Sequence, residues 1–520
     1  MGRLVYHHKK DSGRTYVYEV VEEHWDKEKK QMRSHQVCIG KLDPETGELI
    51  PSKRLGTARV AAVDPAVTAT TSVVGPSLIL GQLAQQTALK ATLKRAFPAN
   101  WQQVLTLAYF LVCTGEALVH ADPWCRNHEV PAEGPYISQR ISDWLSAITE
   151  DGRQSFFKVW SKQVSEQDFL CYDITSVSSY AELNEYVHYG YNRDGEALPQ
   201  VNLSMVYGQK SELPVYYRIL PGAISDVSTL KKLLDSLDKL NYPRMQLVMD
   251  RGFYSQKNVT DLFDRRYNFI IAVPAHLKWV RSVIDQCQDA TQSPRGYQEL
   301  GQETVYMHTE RIKWPVNQRR CYLHIYYNPH RAADDFNALT KRLLLCKQEL
   351  ESGQRNEAHE KDYEQYFIVK NTEVRGLQVD YNDEAISLYR RKYAGYYAML
   401  SSRKMEAFDV LRIYRNKDEV EKSFDNLKNQ LDMKRLRIHS SGRMASRFFI
   451  QFIALILHSQ IQRIAREQGL SKRYSPRLLL GEMESLTRIR YTGRYKSITS
   501  EVSKSQREIL DAFGLDPNTL

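Results

Sequence analysis

The chain is predicted to be an α/β protein built on a mixed sheet flanked by helices. Three observations predict it. Apolar runs between 168 and 275 follow the order β-β-β-α-β-α-β. The composition, 42% hydrophobic and 11% aromatic over 520 residues, fits folded domains rather than disorder, and the length calls for roughly two to four of them. A helical stripe of Ile413, Val420, Phe424, Leu427 and Leu431 then pins a charged segment to a core.

The strands come first. Phe169-Leu-Cys-Tyr-Asp-Ile-Thr is a buried-strand pattern, and Val201–Tyr207 and Pro214–Leu220 are two more, with Gly208 and Lys210 in the turn between them. Leu230, Leu233, Leu234, Leu237 and Leu240 recur at helical spacing. Gln246-Leu-Val-Met-Asp250 is the next strand, stopped by Arg251-Gly252; a short helix over about 255–266 and the strand Phe269–Val273 follow. That order gives antiparallel strands first, then parallel strands reached through helices.

Around this centre the organisation is as follows. Residues 1–60 read as a small β-rich module, with alternation over Thr15–Val21 and Gln36–Ile39 and an Asp43-Pro-Glu-Thr-Gly turn. Lys9, Lys10, Lys27, Lys29, Lys30 and Arg33 make it either a solvated surface or a DNA-contacting module. Residues 61–150 read as a linker (61–76, with Pro65) and then a helical domain for DNA binding or dimerisation. Residues 151–275 hold the first part of the core, and 276–400 an inserted β-rich domain with a charged helix from Asp334 to about Glu360. Residues 401–465 hold the second part of the core, with one helix over about 403–432. Residues 466–520 form a basic tail that includes Lys472, Arg473, Arg477, Arg488, Arg490, Arg494 and Lys496.

The net charge of +10 favours a polyanionic partner, with nucleic acid first. Seven scattered cysteines without a Cys-x-x-Cys pair read as reduced thiols and no zinc knuckle. No leader pattern or 18-residue apolar run is found, so a soluble intracellular protein with no membrane partner is expected.

Three carboxylates stand out. Asp173 and Asp250 each close an apolar strand, and open α/β sheets place ligands at such rims. Glu421 lies on a helix face with Tyr414, Lys417 and Lys428, all within an arc of roughly 60°. Carboxylates brought together repel unless a cation holds them. Mg²⁺ takes one or two carboxylates plus phosphate oxygens and water, and two such ions support in-line phosphoryl transfer. Asp after a strand is also ordinary turn or helix-cap chemistry, so each residue alone has a second reading.

At these residues the chain resembles a DDE transposase of bacterial insertion sequences, with a ribonuclease H-like core. The branch is the one whose last carboxylate sits in a Tyr-x2-Arg-x3-Glu-x6-Lys signature. Tyr414, Glu421 and Lys428 match; Lys417 stands where the family has Arg, which keeps the charge and loses bidentate phosphate geometry. The segments Asp250-Arg-Gly-Phe-Tyr-Ser and Tyr172-Asp173-Ile-Thr-Ser also resemble the family.

The resemblance implies that Asp173, Asp250 and Glu421 are catalytic and bind two Mg²⁺ ions, with Mn²⁺ as a substitute. Tyr414, Lys417 and Lys428 would grip phosphates near the cleaved end. It implies double-stranded DNA as partner, both transposon inverted-repeat ends and target. It also implies a homodimer on paired ends, and a cytoplasmic, nucleoid-associated location in a bacterium. An aromatic of the insertion would stack on a flipped base; Tyr393, Tyr396, Tyr397 and Trp314 are the candidates, with core packing as their other role. Arg251 is either a DNA contact or a structural ion pair. Lys434, Arg435, Arg437 and Arg443 either track the DNA backbone or form a solvated loop.

The function expected is cleavage of transposon ends and joining of the 3′-hydroxyl to target DNA. The alternatives are a nuclease on the same core without strand transfer, and an inactive DNA-binding descendant. The complete carboxylate set argues against the last.

Overall fold

The computed structural model describes residues 3–26, 31–52, 68–164, 169–181, 183–240, 246–301, 303–372, 376–492 and 496–519. Lys27, Lys29, Lys30, Arg494 and residues 61–67 of the expected 61–76 linker, including Pro65, lie outside the described residues. The chain divides into two compact units, Met1–Ser72 with Thr487–Ser500, and Val73–Leu486 with Glu501–Leu520.

The smaller unit holds an antiparallel sheet in sequence order, β1 (Leu4–Lys9), β2 (Arg14–Asp26), β3 (Gln31–Leu42) and β4 (Leu49–Pro51). The predicted turn lies between β3 and β4. Asp43 accepts from the amides of Glu45 (2.9 Å) and Thr46 (3.2 Å), and Gly47 takes the left-handed φ of +69° that a side chain disfavours. A second sheet of this unit sets β5 (Ala69–Val73) beside Thr487–Tyr491, which pairs with Ile498–Thr499. Part of the expected basic tail is therefore sheet, and Pro476–Glu482 and Lys504–Ala512 are helices.

The larger unit is built on a mixed sheet of ten strands. Its centre follows the predicted order: β6 (Phe169–Ser179), β7 (Gln200–Gly208), β8 (Leu213–Pro221), helix Asp226–Lys239, β9 (Gln246–Met249), helix Gln256–Asp264 and β10 (Asn268–Val273). β6, β7 and β8 pair antiparallel, while β9 lies parallel to both β6 and β10. Both crossovers carry helices, as parallel neighbours require.

Two expectations change here. The segment 276–400 does not fold as a separate β-rich domain. β11 (Tyr297–Leu300), β12 (Glu303–Lys313) and β13 (Arg320–Tyr327) extend the same sheet through β16 (Tyr396–Ser401), which pairs with β10. β10 would otherwise be an open edge with unpaired amides. A satellite stands apart: helices Pro329–Ser352, Glu360–Tyr366 and Asp383–Lys392 with the hairpin β14 (Phe367–Thr372) and β15 (Gly376–Tyr381). It has its own core of Leu339, Leu343, Cys346, Leu350, Tyr363, Tyr366 and Phe367.

Nor do the helices between 75 and 164 form a domain of their own. Their buried faces join the core of the sheet through helix Ser441–Glu467, where Phe156 meets Phe449 edge-on at 5.1 Å. That helix is long and apolar enough to cross a membrane, against the expectation of no such run, yet 94% of its apolar window is buried inside the protein. Its apolarity follows from being covered on all sides.

A candidate active site at the sheet rim

Register builds the site. β6 and β9 run parallel with Tyr172 opposite Met249. The next residue on each chain is Asp173 and Asp250, so the pairing sets the two carboxylates side by side. Asp173 does not end its strand as expected, because β6 continues to Ser179 against β7 and, at its far end, against β17 (Arg435–Leu436). Asp250 does end β9, and it also caps the turn Arg251–Phe253, accepting from the Arg251 amide at 2.6 Å. The cap and the rim position are two uses of one carboxylate.

Glu421 arrives from the far side of the sequence. The single helix expected over 403–432 is two, Ala407–Arg415 and Asp418–Asn429. Between them the backbone tightens into i→i−3 bonds, from Lys417 N to Tyr414 O (3.0 Å) and from Val420 N to Lys417 O (2.9 Å). Such winding stacks residues three apart, so Lys417 lies over Tyr414. The predicted apolar stripe holds: Ile413, Val420, Phe424, Leu427 and Leu431 are all buried. Glu421 sits in the first turn of the second helix, where the dipole favours an acid.

The three carboxylates converge on Lys417. Its Nζ lies 3.1 Å from Glu421, 3.5 Å from Asp173 and 3.9 Å from Asp250. The Lys417 side chain is 7% exposed, against 59% for Glu421 and 42% for Asp250. Burial pushes the Asp173 carboxyl above its ordinary range; Lys417 draws it back, and Asp250 and Glu421 add to the rise. Burial would lower the Lys417 amine, but Asp173, Asp250 and Glu421 together outweigh it and hold it above its usual value. The Tyr414 hydroxyl donates to Asp250 at 2.8 Å, and burial together with Asp250 keeps that phenol protonated.

Lys428 does not join this group. It is 8% exposed, and its Nζ lies 2.7–2.8 Å from both oxygens of Asp194, in the loop between β6 and β7. Helical periodicity places it on the Glu421 face, but that loop draws its ammonium to Asp194 instead. Among the remaining basic candidates, Arg251, Lys434, Arg437 and Arg443 are exposed. Arg435 pairs with Glu196 at 2.8 Å and meets the Tyr180 hydroxyl at 3.0 Å.

Beside Asp250 opens a cavity of about 770 Å³, lined by Arg251, Arg281, Arg331, Arg415, Tyr414 and three of the four stacking candidates. Those three are already engaged. Tyr397 stacks on Tyr326 (4.9 Å) with Arg331 over its ring at 5.0 Å, Tyr396 packs on Tyr327, and Arg281 lies 4.6 Å over Tyr393. The fourth, Trp314, is core: it is 2% exposed, and its indole N–H donates to Thr260 at 3.0 Å. Sequence reasoning missed Asp194, Arg281, Arg331 and Arg415, which nothing local marks.

Fold and site together define an α/β protein with an acidic centre at the rim of a mixed sheet, its charge partly offset by one buried ammonium. The family model of the transposase DDE domain matches residues 165–457, more than half of the chain. The chain belongs to the DDE transposase family. Among solved structures it is similar to piggyBac transposase in a synaptic complex with hairpin DNA, at 10% identity, covering 84% of this chain and 76% of that chain, with a TM-score of 0.37. A search of curated proteins gives no match.

Proposed function

We propose that this transposase cleaves transposon ends and joins the freed 3′-hydroxyl to target DNA, using Asp173, Asp250 and Glu421 to hold two Mg²⁺ ions, with Mn²⁺ as a substitute. The observation that carries the reading is the convergence of these three carboxylates on one buried ammonium, inside the family-matched region. The donor set fits the ions: all hard carboxylate oxygens, in a place that already accommodates positive charge. When bound, the ions supply activation of the attacking water or 3′-hydroxyl and neutralise charge on the departing oxygen.

The chain's own groups prepare the rest. Tyr414 ties one oxygen of Asp250 and so fixes its rotamer, leaving the other turned toward Lys417. Lys417 offsets part of the triad's charge and lies within reach of a phosphate brought to it. Arg251, exposed beside Asp250, meets the DNA backbone at the cavity mouth. Lys434, Arg437 and Arg443 offer further sequence-independent phosphate contacts. Residues 1–60, where Lys9, Lys10 and Arg33 are exposed, serve as a DNA-contacting module, and 61–150 support DNA binding or dimerisation.

The signature spacing from Tyr414 to Lys428 supports membership of the bacterial insertion-sequence branch and, with it, a ribonuclease H-like core, a homodimer on paired ends, and action in the cytoplasm at the nucleoid. A strand-transfer assay with a pre-cleaved 3′-hydroxyl end and Mg²⁺ tests the reading. Joined product is expected. Cleavage of intact ends with no joined product from the pre-cleaved end would make the protein a nuclease instead.

A further inference from the structure

A group of side chains that could hold a metal ion lies in the satellite, away from the carboxylate triad. Cys346 and Glu349 stand three apart on one face of helix Pro329–Ser352, and the turn Glu357–His359 brings His359 against them. One donor atom from each, a thiol sulfur, a carboxylate oxygen and a ring nitrogen, lies within 4.8 Å of the other two. His359 Nδ1 is 2.8 Å from Glu349 Oε2, and the Tyr363 hydroxyl donates to the same oxygen at 2.5 Å. Cys346 is fully buried, whereas Glu349 and His359 keep 15% and 20% of their side chains exposed, so one side of the cluster opens to water.

We propose that Cys346, Glu349 and His359 form a Zn²⁺ site with water as the fourth ligand. The mixed sulfur, nitrogen and oxygen set selects zinc over Mg²⁺, which avoids thiolate. Bonds of about 2.0–2.3 Å in a tetrahedron set ligand atoms roughly 3.3–3.8 Å apart, so the cluster closes with shifts of about 1 Å. Tyr363 orients the Glu349 carboxylate, as outer partners of metal ligands do.

The site has a structural use. The satellite core is small, and small cores gain most from a staple. Zinc would tie the end of the long helix to the turn that leads into Glu360–Tyr366. Tyr389 packs against this core and also lines the cavity beside Asp250, so the staple would steady one wall of that cavity. Without metal, the same residues are a hydrogen-bonded His–Glu–Tyr group beside a core thiol.

Cobalt titration of the full-length protein, stripped with chelator and kept in excess Mg²⁺, separates the two. A thiolate-to-cobalt charge-transfer band is expected to saturate near one equivalent and to bleach on adding Zn²⁺. The band should vanish in Cys346→Ser and in His359→Gln, and Tyr363→Phe should weaken binding about tenfold. Absence of the band from the wild type, or its persistence in Cys346→Ser, would overturn the site. Should Cys346→Ser fail to fold, His359→Gln decides: folded protein with undiminished cobalt affinity overturns it equally.

Discussion

The Lys417 ammonium lies 3.5 Å from the Asp173 carboxylate, deep in the site, with Glu421 and Asp250 at 3.1 and 3.9 Å. One cation thus holds three mutually repelling acids. Removing it leaves more of their charge uncompensated, a cost that solvent at the exposed Glu421 and the half-buried Asp250 reduces to about 2 kcal/mol. Lys417→Met is therefore expected to lower the Tm without divalent ions, and to recover more than the wild type does when Mg²⁺ or Mn²⁺ is added. Thermal melts with and without metal check this; an unchanged metal-free Tm would contradict it.

About two turns beyond Glu421 on the same helix, the nearly buried Lys428 pairs with the exposed Asp194. Their tie fixes the loop after β6 to the Glu421 helix, and a double-mutant cycle of Lys428→Met and Asp194→Asn should return a coupling of about 1 kcal/mol. The phosphate role first expected of Lys428 makes a different forecast: loss of one phosphate contact reduces the salt-dependence slope of DNA binding by about 0.9. With Lys428 held by Asp194, the slope for Lys428→Met should match that of the wild type.

His324 sets part of the acid sensitivity. It is fully buried in β13; Ser401 donates its hydroxyl to the Arg403 carbonyl, so its oxygen accepts from His324 Nε2–H, while Nδ1 accepts from Thr309. Burial lowers the pKa from 6.5 to about 4. The unfolded chain takes this proton first, so the stability tied to the neutral ring is complete above pH 6.5 and drains away as pH falls toward 4. The loss reaches about 3 kcal/mol at the acid end. Buried His458, also lowered to about 4, adds a similar slope. Denaturant unfolding from pH 7 to pH 4.5 should show a shallower acid slope in His324→Gln than in the wild type.

Much of the centre was readable because its signals are local. Each run between Phe169 and Val273 declares its own period, and Asp250 stands where a strand meets Arg-Gly. The buried stripe from Ile413 to Leu431 needed only the helical repeat. What stayed hidden depends on distant pairing. β10 meets β16 with Val273 opposite Ala398, and no local pattern tells an inserted sheet from an extension of the first. Lys417 was legible as a neighbour of Glu421, but its turn inward follows from the β6–β9 register, which sets Asp173 and Asp250 beneath it. Lys428 finds Asp194 across 234 positions, beyond the reach of any periodicity.

Glu421 is proposed to complete a metal-holding triad with Asp173 and Asp250. Glu421→Gln keeps the size and polarity of a 59% exposed side chain and removes one charge, so folding and end binding should stay close to wild type. Cleavage of transposon-end DNA by this variant in Mg²⁺, with DNA binding measured in parallel, is the most direct test. Bound but uncleaved DNA is expected. Cleavage at the wild-type rate would contradict the triad.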